Sequence, residues 1–331
     1  MISPTAAKAR SVEQWTLEAV RELFERPLLD IVFEAARVYR DYHDEQRVQL
    51  CTLLSVKTGA CSEDCGCCPQ SAHHDTSVEP RKLMDTREVL ERAREAHDAG
   101  STRFCMGAAW REVKDGPDFD RVLDMVRGVR ALGLETCCTL GMITEEQARR
   151  LKEAGLTAYN HNLDSSAEFY GKIISTRSYE DRLRTLRNVA RAGISACCGG
   201  IIGMGESLDD RVALLHTLAN LENPPESVPV NALVAAPGTP LEGRPPVDAF
   251  EFVRMIAAAR ILFPRAKVRL SAGRLSLSPE AQALCFLAGA DSIFTGEKLL
   301  TTPNPSWESD RALLKTLGLK PLKPEEHALE D

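Results

Sequence analysis

The feature that most constrains the fold of this chain is a repeated order of elements. The segments "REAHDAGSTRFCM", "RGVRALGLETCCT", "RRLKEAGLTAYNH", "NVARAGISACC" and "LCFLAGADSIF" each run from a helical stretch through a glycine into a short run of strand character. The glycines are Gly100, Gly133, Gly155, Gly193 and Gly289. A glycine just beyond a helix takes the left-handed conformation that ends it. Helix, short loop and strand in repetition imply a parallel sheet with helices outside it.

Strands are predicted near 49–56, 102–106, 135–139, 157–160, 195–198, 227–230, 267–270 and 292–294. Helices are predicted over 86–99, 119–132, 145–154, 179–192, 208–221, 247–263 and 279–288. This α/β series favours a TIM-type (β/α)8 barrel over a doubly wound open sheet. The 331 residues suggest about two domains by length alone, but α/β barrels of roughly 250 residues form one unit. The stretch "SVEQWTLEAVRELFERPLLDIVFEAARVYRDYH" reads as two amphipathic helices broken at Pro27, expected to cover the barrel bottom. The segment after Thr301 is rich in proline and charge and is expected to be irregular. The division is an N-terminal helical extension over 1–46, the barrel over 47–300 and a C-terminal tail over 301–331.

Charge excludes several functions. With 41 basic and 48 acidic residues the net charge is −7. No run of Lys or Arg suggests a nucleic-acid face or a membrane-surface helix. The start "MISPTAAKAR" lacks the apolar stretch of a signal peptide, and no apolar run is long enough to span a bilayer. The sequence therefore reads as cytoplasmic.

Eleven cysteines are an odd number, in a chain too large to need disulfide staples. In a reducing compartment clustered thiols bind metal or do chemistry. A separate cysteine, such as Cys51 or Cys285, reads as a small buried hydrophobe. Four others crowd into "TGACSEDCGCCPQS": Cys61, Cys65, Cys67 and Cys68. Thiolates at C-x3-C-x2-C (Cys61, Cys65, Cys68) can converge around a small inorganic cluster. Three thiolates leave one iron of a 4Fe-4S cluster open, where four saturate it. On spacing alone a structural zinc site, completed by His73 or His74, competes with this reading.

In a parallel barrel, chemistry gathers at the carboxyl ends of the strands. The second strand ends at Cys105, the third at Cys137–Cys138, the fourth in "YNHNLD", the fifth at Cys197–Cys198 and the sixth at Asn231, while the seventh carries Arg269. One cysteine in a strand is more often packing than ligand. Three at equivalent ends of repeated units are harder to assign to packing. Side chains alternate between faces, so only one of each adjacent cysteine pair faces inward. Asn160, Asn162 and Asp164 suit ligand hydrogen bonds or local turn bonds, and His161 is expected to point the other way, as a structural residue. "GGIIGMGES" lacks the third glycine of a dinucleotide fingerprint.

At C-x3-C-x2-C after the first strand of a β/α barrel, the chain resembles the radical S-adenosylmethionine (SAM) superfamily. The segments "TGACSEDCGCCPQS", "GSTRFCMGAAW", "YNHNLD", "SVPVNALV", "VRLSAGR" and "KLLTTPNP" occur in the order found in the biotin synthases. That resemblance covers about residues 48–305. It implies an enzyme in which Cys61, Cys65 and Cys68 ligate a 4Fe-4S cluster whose open iron chelates SAM. It further implies a 2Fe-2S cluster on Cys105, Cys137, Cys197 and Arg269, with sulfur passing from that cluster into dethiobiotin to give biotin. Arg269 as an iron ligand follows from the resemblance alone; without it, a carboxylate or substrate partner is the expectation.

By the same resemblance Asn162 and Asp164 contact the SAM ribose, Asn160 and Asn162 the substrate, and Asn231 its ureido ring. Gly199, Ile201, Gly203 and Glu206 match a superfamily pattern beside the adenine, or simply form a tight β–α turn. No acid–base pair is implied. The implied partners are an electron donor such as flavodoxin, iron–sulfur assembly machinery and a second copy in a homodimer. The chain departs from the family at Cys67, where an aromatic residue is usual. Two other readings are a radical SAM enzyme with a different substrate and a non-enzymatic iron–sulfur or zinc protein.

Overall fold

The computed structural model describes residues 14–43 and 47–323. Nine strands make its barrel: β1 (Arg47–Lys57), β2 (Arg103–Ala108), β3 (Glu135–Thr139), β4 (Ala158–Asn160), β5 (Ser195–Cys197), β6 (Gly200–Ile202), β7 (Ser227–Ala232), β8 (Lys267–Leu270) and β9 (Ser292–Phe294). Each pairs in parallel with the next, β5 and β6 share the fifth position beside β7, and β9 returns to β1 through Gln49↔Ser292. The result is a closed eight-position barrel, as the repeat predicts. The fifth strand breaks at Gly199, where a Cβ would lie 1.9 Å from the Pro229 carbonyl oxygen, so the chain can pass there only as glycine.

The helices are α1 (Leu17–Glu25), α2 (Leu28–Tyr42), α3 (Thr86–Asp98), α4 (Pro117–Ala131), α5 (Glu145–Glu153), α6 (Ala167–Tyr170), α7 (Tyr179–Arg191), α8 (Leu208–Ala219), α9 (Ala249–Leu262), α10 (Pro279–Leu287) and α11 (Trp307–Leu317). Side-chain caps start most of them. Thr144 with Gln147, Ser178 with Asp181, and Ser207 with Asp210 form reciprocal capping boxes. Each such cap contributes about 1 kcal/mol. The five repeat glycines all have φ between +67° and +100°, the left-handed stop the sequence predicts.

Two ends of the chain differ from expectation. The N-terminal helices do not cap the barrel bottom: α1 lies against α8 and α9, and α2 along α9, outside the helical ring. Their apolar residues Val20, Phe24, Ile31 and Ala35 join the core that α8 and α9 share. The end of α2 reaches the lower rim, where His43 contacts the Pro264 carbonyl at 3.0 Å. The segment after Thr301 is not irregular up to residue 323. It forms a short antiparallel pair, β10 (Lys298–Leu299) with β11 (Thr302–Pro303), then α11, then β12 (Lys320–Pro321) beside the start of β1. Asp310 of α11 is buried and paired with Arg274, and Leu314 joins the core. Proline and charge content hid this apolar and ionic anchor. The ends 1–13 and 324–331 and the junction 44–46 lie outside the described residues. Among the described residues no helix is long and apolar enough to cross a membrane.

Outward-facing strand residues pack under the helices. Phe104, Met106, Cys138 and Tyr159 meet Phe119, Met125 and Leu151 in one apolar shell. The barrel interior is different. TIM barrels are usually filled by layers of branched aliphatic side chains. Here Gln49 donates to Glu135 at 2.8 Å, Arg103 donates to Glu135 at 2.6 Å, and Arg269 donates to Ser292 at 3.0 Å, all buried. Cys51, Cys105 and Cys137 pack with Ala158 and Phe294 in an inner layer. This layer floors the site.

Candidate active site

A cavity of about 350 Å³ opens at the carboxyl end of the barrel. It is walled by both thiol sets that the sequence singles out: Cys61, Cys65 and Cys68 from the loop after β1, and Cys105, Cys137 and Cys197 from strand ends. Arg269, Asn160, Asn162, Asp164, Asn231 and Ile201 line the same space. Among the described residues no three His, Cys, Asp or Glu side chains close on one point, as a single metal ion requires. The thiols border a space.

The cysteine loop is folded by its own backbone bonds. Cys61 N–H donates to Gln70 O at 3.0 Å, Ala72 N–H to Cys61 O at 2.7 Å and Cys68 N–H to Cys65 O at 2.9 Å. Lys57 Nζ ties the loop's start to the end of β2 through Ala109 O at 2.9 Å. Asp64 anchors the far side, accepting the N–H groups of Ser175 at 2.9 Å and Thr176 at 3.2 Å. Burial alone would raise the Asp64 carboxyl, but hydrogen bonds from Ser175 and Thr176 outweigh it and hold it well below the carboxylate range. His73 and His74 spend a ring nitrogen each on the carbonyls of Ser62, at 3.2 Å, and Cys65, at 3.0 Å. They brace the loop, and neither histidine lines the cavity that the three thiols border.

Burial raises every thiol in this loop. Cys65 is pushed up to about 12 and Cys68 to about 11, and Cys61 also rises. A buried thiolate forms when a cation offsets its desolvation. Soft sulfur donors, crowded and shielded, suit iron–sulfur chemistry. Cys67 lines the cavity too and packs against an apolar cluster with Phe169, Ile173 and Leu233.

The deeper set resolves both adjacent pairs. Cys105 and Cys137 are register partners across β2 and β3 and pack in one inner layer, and Cys197 lines the same cavity. Cys138 and Cys198 face the opposite way, into the cores beneath the helices. Period-two alternation does this. Arg269 is fully buried, with Nη1 3.4 Å from Cys197 Sγ. Its acceptors are Ser292 Oγ, Gln49 Oε1 and two thiols, so among the described residues no carboxylate claims it.

The polar residues at the fourth strand divide their bonds. Asn160 Nδ2 donates to Cys197 Sγ at 3.3 Å, and Asn162 Oδ1 accepts Gly199 N–H at 3.1 Å. Asp164 has φ +66° and pairs with Arg182. Asn231 donates to Gly200 O at 3.0 Å and accepts Ala272 N–H at 3.2 Å, leaving one donor and one lone pair. Glu206 turns back onto Gly203 N–H at 2.9 Å and meets Arg211 at 2.8 Å. Gly199, Gly203 and Glu206 thus shape the turn, and Ile201 alone of that set lines the cavity.

The pattern described as "Radical SAM superfamily" matches residues 55–218, and "Biotin and Thiamin Synthesis associated domain" matches residues 229–320. The chain is 62% identical over 322 residues to a biotin synthase of Sorangium cellulosum (strain So ce56), covering 97% of this chain and 92% of that protein. The chain belongs to the biotin synthase family. A second biotin synthase, from Cytophaga hutchinsonii, is 62% identical over 307 residues, covering 93% of this chain and 91% of that one. The fold is also that of the methylornithine synthase PylB, with TM-score 0.80 at 20% identity and 96% of each chain covered. A radical SAM enzyme of the biotin synthase family requires a 4Fe-4S cluster and SAM, and the loop thiols are suited to the first of these.

Several further residues shape the biotin synthase site. Glu63 is buried inside the cysteine loop, with Oε1 free of hydrogen bonds and 3.7 Å from Arg177. Arg177 and Arg182 converge on Tyr170 OH from two elements at 3.2 and 3.0 Å. His161 is buried beside the cavity, its ring 6.3 Å from that of Tyr159 and its Nε2 without a hydrogen-bond partner. Cys51 is more than a packed hydrophobe, since it accepts from Arg269 at 3.4 Å. Alternation along β1 could have placed it inside, two residues beyond Gln49.

Proposed function

We propose that this chain converts dethiobiotin to biotin, the last step of biotin synthesis, by inserting sulfur at two carbons. The observation that carries this reading is the convergence of two separate thiol sets and one buried arginine on a single cavity. When bound, a 4Fe-4S cluster with SAM supplies a 5′-deoxyadenosyl radical able to remove hydrogen from unactivated carbon, and a 2Fe-2S cluster supplies the sulfur.

The protein's residues hold and orient. Cys61, Cys65 and Cys68 hold the first cluster. Cys105, Cys137, Cys197 and Arg269 hold the second. Asn162 and Asp164 face the SAM ribose, and Arg182 fixes the Asp164 carboxylate. Asn160, Asn162 and the unused donor of Asn231 address the substrate's ureido group. Gly199, Gly203 and Glu206 set the turn that presents Ile201 to the adenine. The apolar wall at Phe294 and Leu299 limits water around a reactive intermediate. No general acid or base is assigned, because the carbons involved carry no acidic proton. The reading is completed by a three-part division at about residues 46 and 300, a homodimer in the cytoplasm, an electron donor such as flavodoxin, and assembly machinery that renews the second cluster.

The test is anaerobic incubation of the reconstituted protein with SAM, a reductant and dethiobiotin. Biotin and 5′-deoxyadenosine together are the predicted products. 5′-Deoxyadenosine without biotin rejects the substrate and keeps the superfamily chemistry.

A further inference from the structure

The Arg269 guanidinium is bracketed by two thiols. Nη1 donates to Cys197 Sγ at 3.4 Å and Nη2 donates to Cys51 Sγ at 3.4 Å. Nε is fixed on Ser292 Oγ at 3.0 Å, and Gln49 Oε1 accepts from Nη2 at 3.4 Å. Cys51 sits within this cradle, 3.5 Å from Gln49 Oε1 and 3.6 Å from Ser292 Oγ. It also shares the inner layer with Cys105 and Cys137. The floor carries a second buried guanidinium, Arg103, whose Nη1 has no hydrogen-bond partner and whose charge acts on Cys51 and Cys137. Glu135 accepts from Arg103 Nε at 2.6 Å and from Gln49 Nε2 at 2.8 Å, and Arg269 bonds to neutral side chains and thiols. The site is therefore built for anionic sulfur, and it contains four thiols where the ligand set uses three.

We propose that Cys51 is the fourth thiol of the second cluster's site. With Arg269 present it is a positioning residue: Cys51, Gln49 and Ser292 occupy Nη2 and Nε, which leaves Nη1 as the nitrogen aimed at the cysteines. With Arg269 absent it is the replacement ligand. Its sulfur then bonds iron as its S–H proton leaves to solvent, and no electron moves. The proposal rests on the 2Fe-2S reading above.

The test uses full-length protein reconstituted anaerobically with ferrous iron and sulfide, and reads iron, sulfide and the visible spectrum, not turnover. Arg269→Ala is expected to keep both clusters, with the spectrum of an all-thiolate 2Fe-2S centre. Cys51→Ala/Arg269→Ala is expected to lose about two irons per chain while the 4Fe-4S signal, which reports an intact barrel, persists. Cys51→Ser/Arg269→Ala keeps side-chain volume and hydrogen bonding, and its charge-transfer bands are expected at higher energy than those of Arg269→Ala, because oxygen replaces sulfur on iron. Identical iron content and spectra in Arg269→Ala and both double variants overturn the proposal. A wild-type protein that takes up only the 4Fe-4S cluster overturns the 2Fe-2S reading itself, and the proposal with it.

Discussion

The carboxylate of Asp64 accepts the backbone N–H of Ser175 at 2.9 Å, across 111 positions of sequence. This bond ties the loop that carries Cys65 and Cys68 to the segment after α6. Asp64 itself binds no cluster. Its replacement by alanine is predicted to weaken retention of the 4Fe-4S cluster about tenfold, the scale on which outer partners of metal ligands act. Iron release to a chelator measures it. The Asp64 carboxyl is held below its ordinary value, so the anchor is complete above about pH 4 and is lost only as pH falls through the depressed value. The difference between wild type and Asp64→Ala should therefore be constant from mildly acidic to neutral pH.

The paired cysteines give the sharpest contrast between neighbours. Cys137 and Cys197 face the cavity, while Cys138 and Cys198 face the helices. Cys138→Ala and Cys198→Ala should keep full iron and lose about 1 kcal/mol of stability each through small cavities. Cys137→Ala and Cys197→Ala should lose the second cluster. Iron analysis of the four variants decides it, and iron loss in Cys138→Ala or Cys198→Ala would reverse the inward assignment.

His161 gives a pH dependence with a definite sign. Burial, with Arg182 and Arg177 nearby, pushes its pKa well below the ordinary value. The native state therefore holds it neutral, whereas the unfolded chain takes up a proton near pH 6.5. Stability is full above about pH 6.5 and declines as pH falls below it. Urea midpoints between about pH 7 and 5 should fall less steeply in His161→Gln than in wild type.

The Arg274–Asp310 pair holds α11 on the barrel, with both side chains buried. Asp310→Ala leaves a buried guanidinium without its counter-charge and is predicted to cost about 3–5 kcal/mol. Denaturant unfolding of the variant measures this. A loss under about 1 kcal/mol contradicts a structural role for the segment.

Much of this architecture is legible in the sequence because its signals are local. β3, β8 and β9 fall on their predicted bounds, and the repeat glycines end helices as expected. The fifth strand is read less well, since its break depends on the Pro229 carbonyl of a neighbouring strand. The cysteines were legible as residue types at strand ends. Their partners were not: Gln49, Glu63, Arg177 and Arg182 reach the site from separate elements, and no spacing announces that. The tail misled because composition describes its surface, whereas Asp310 and Leu314 act through what they touch.

The most direct measurement follows the sulfur atom. The protein is reconstituted with isotopically labelled sulfide, freed of excess sulfide, and given SAM, reductant and dethiobiotin without a further sulfur source. The account predicts biotin whose ring sulfur carries the label, formed with loss of the second cluster's absorbance. Biotin with unlabelled sulfur, or labelled cluster left intact after biotin has formed, would contradict it.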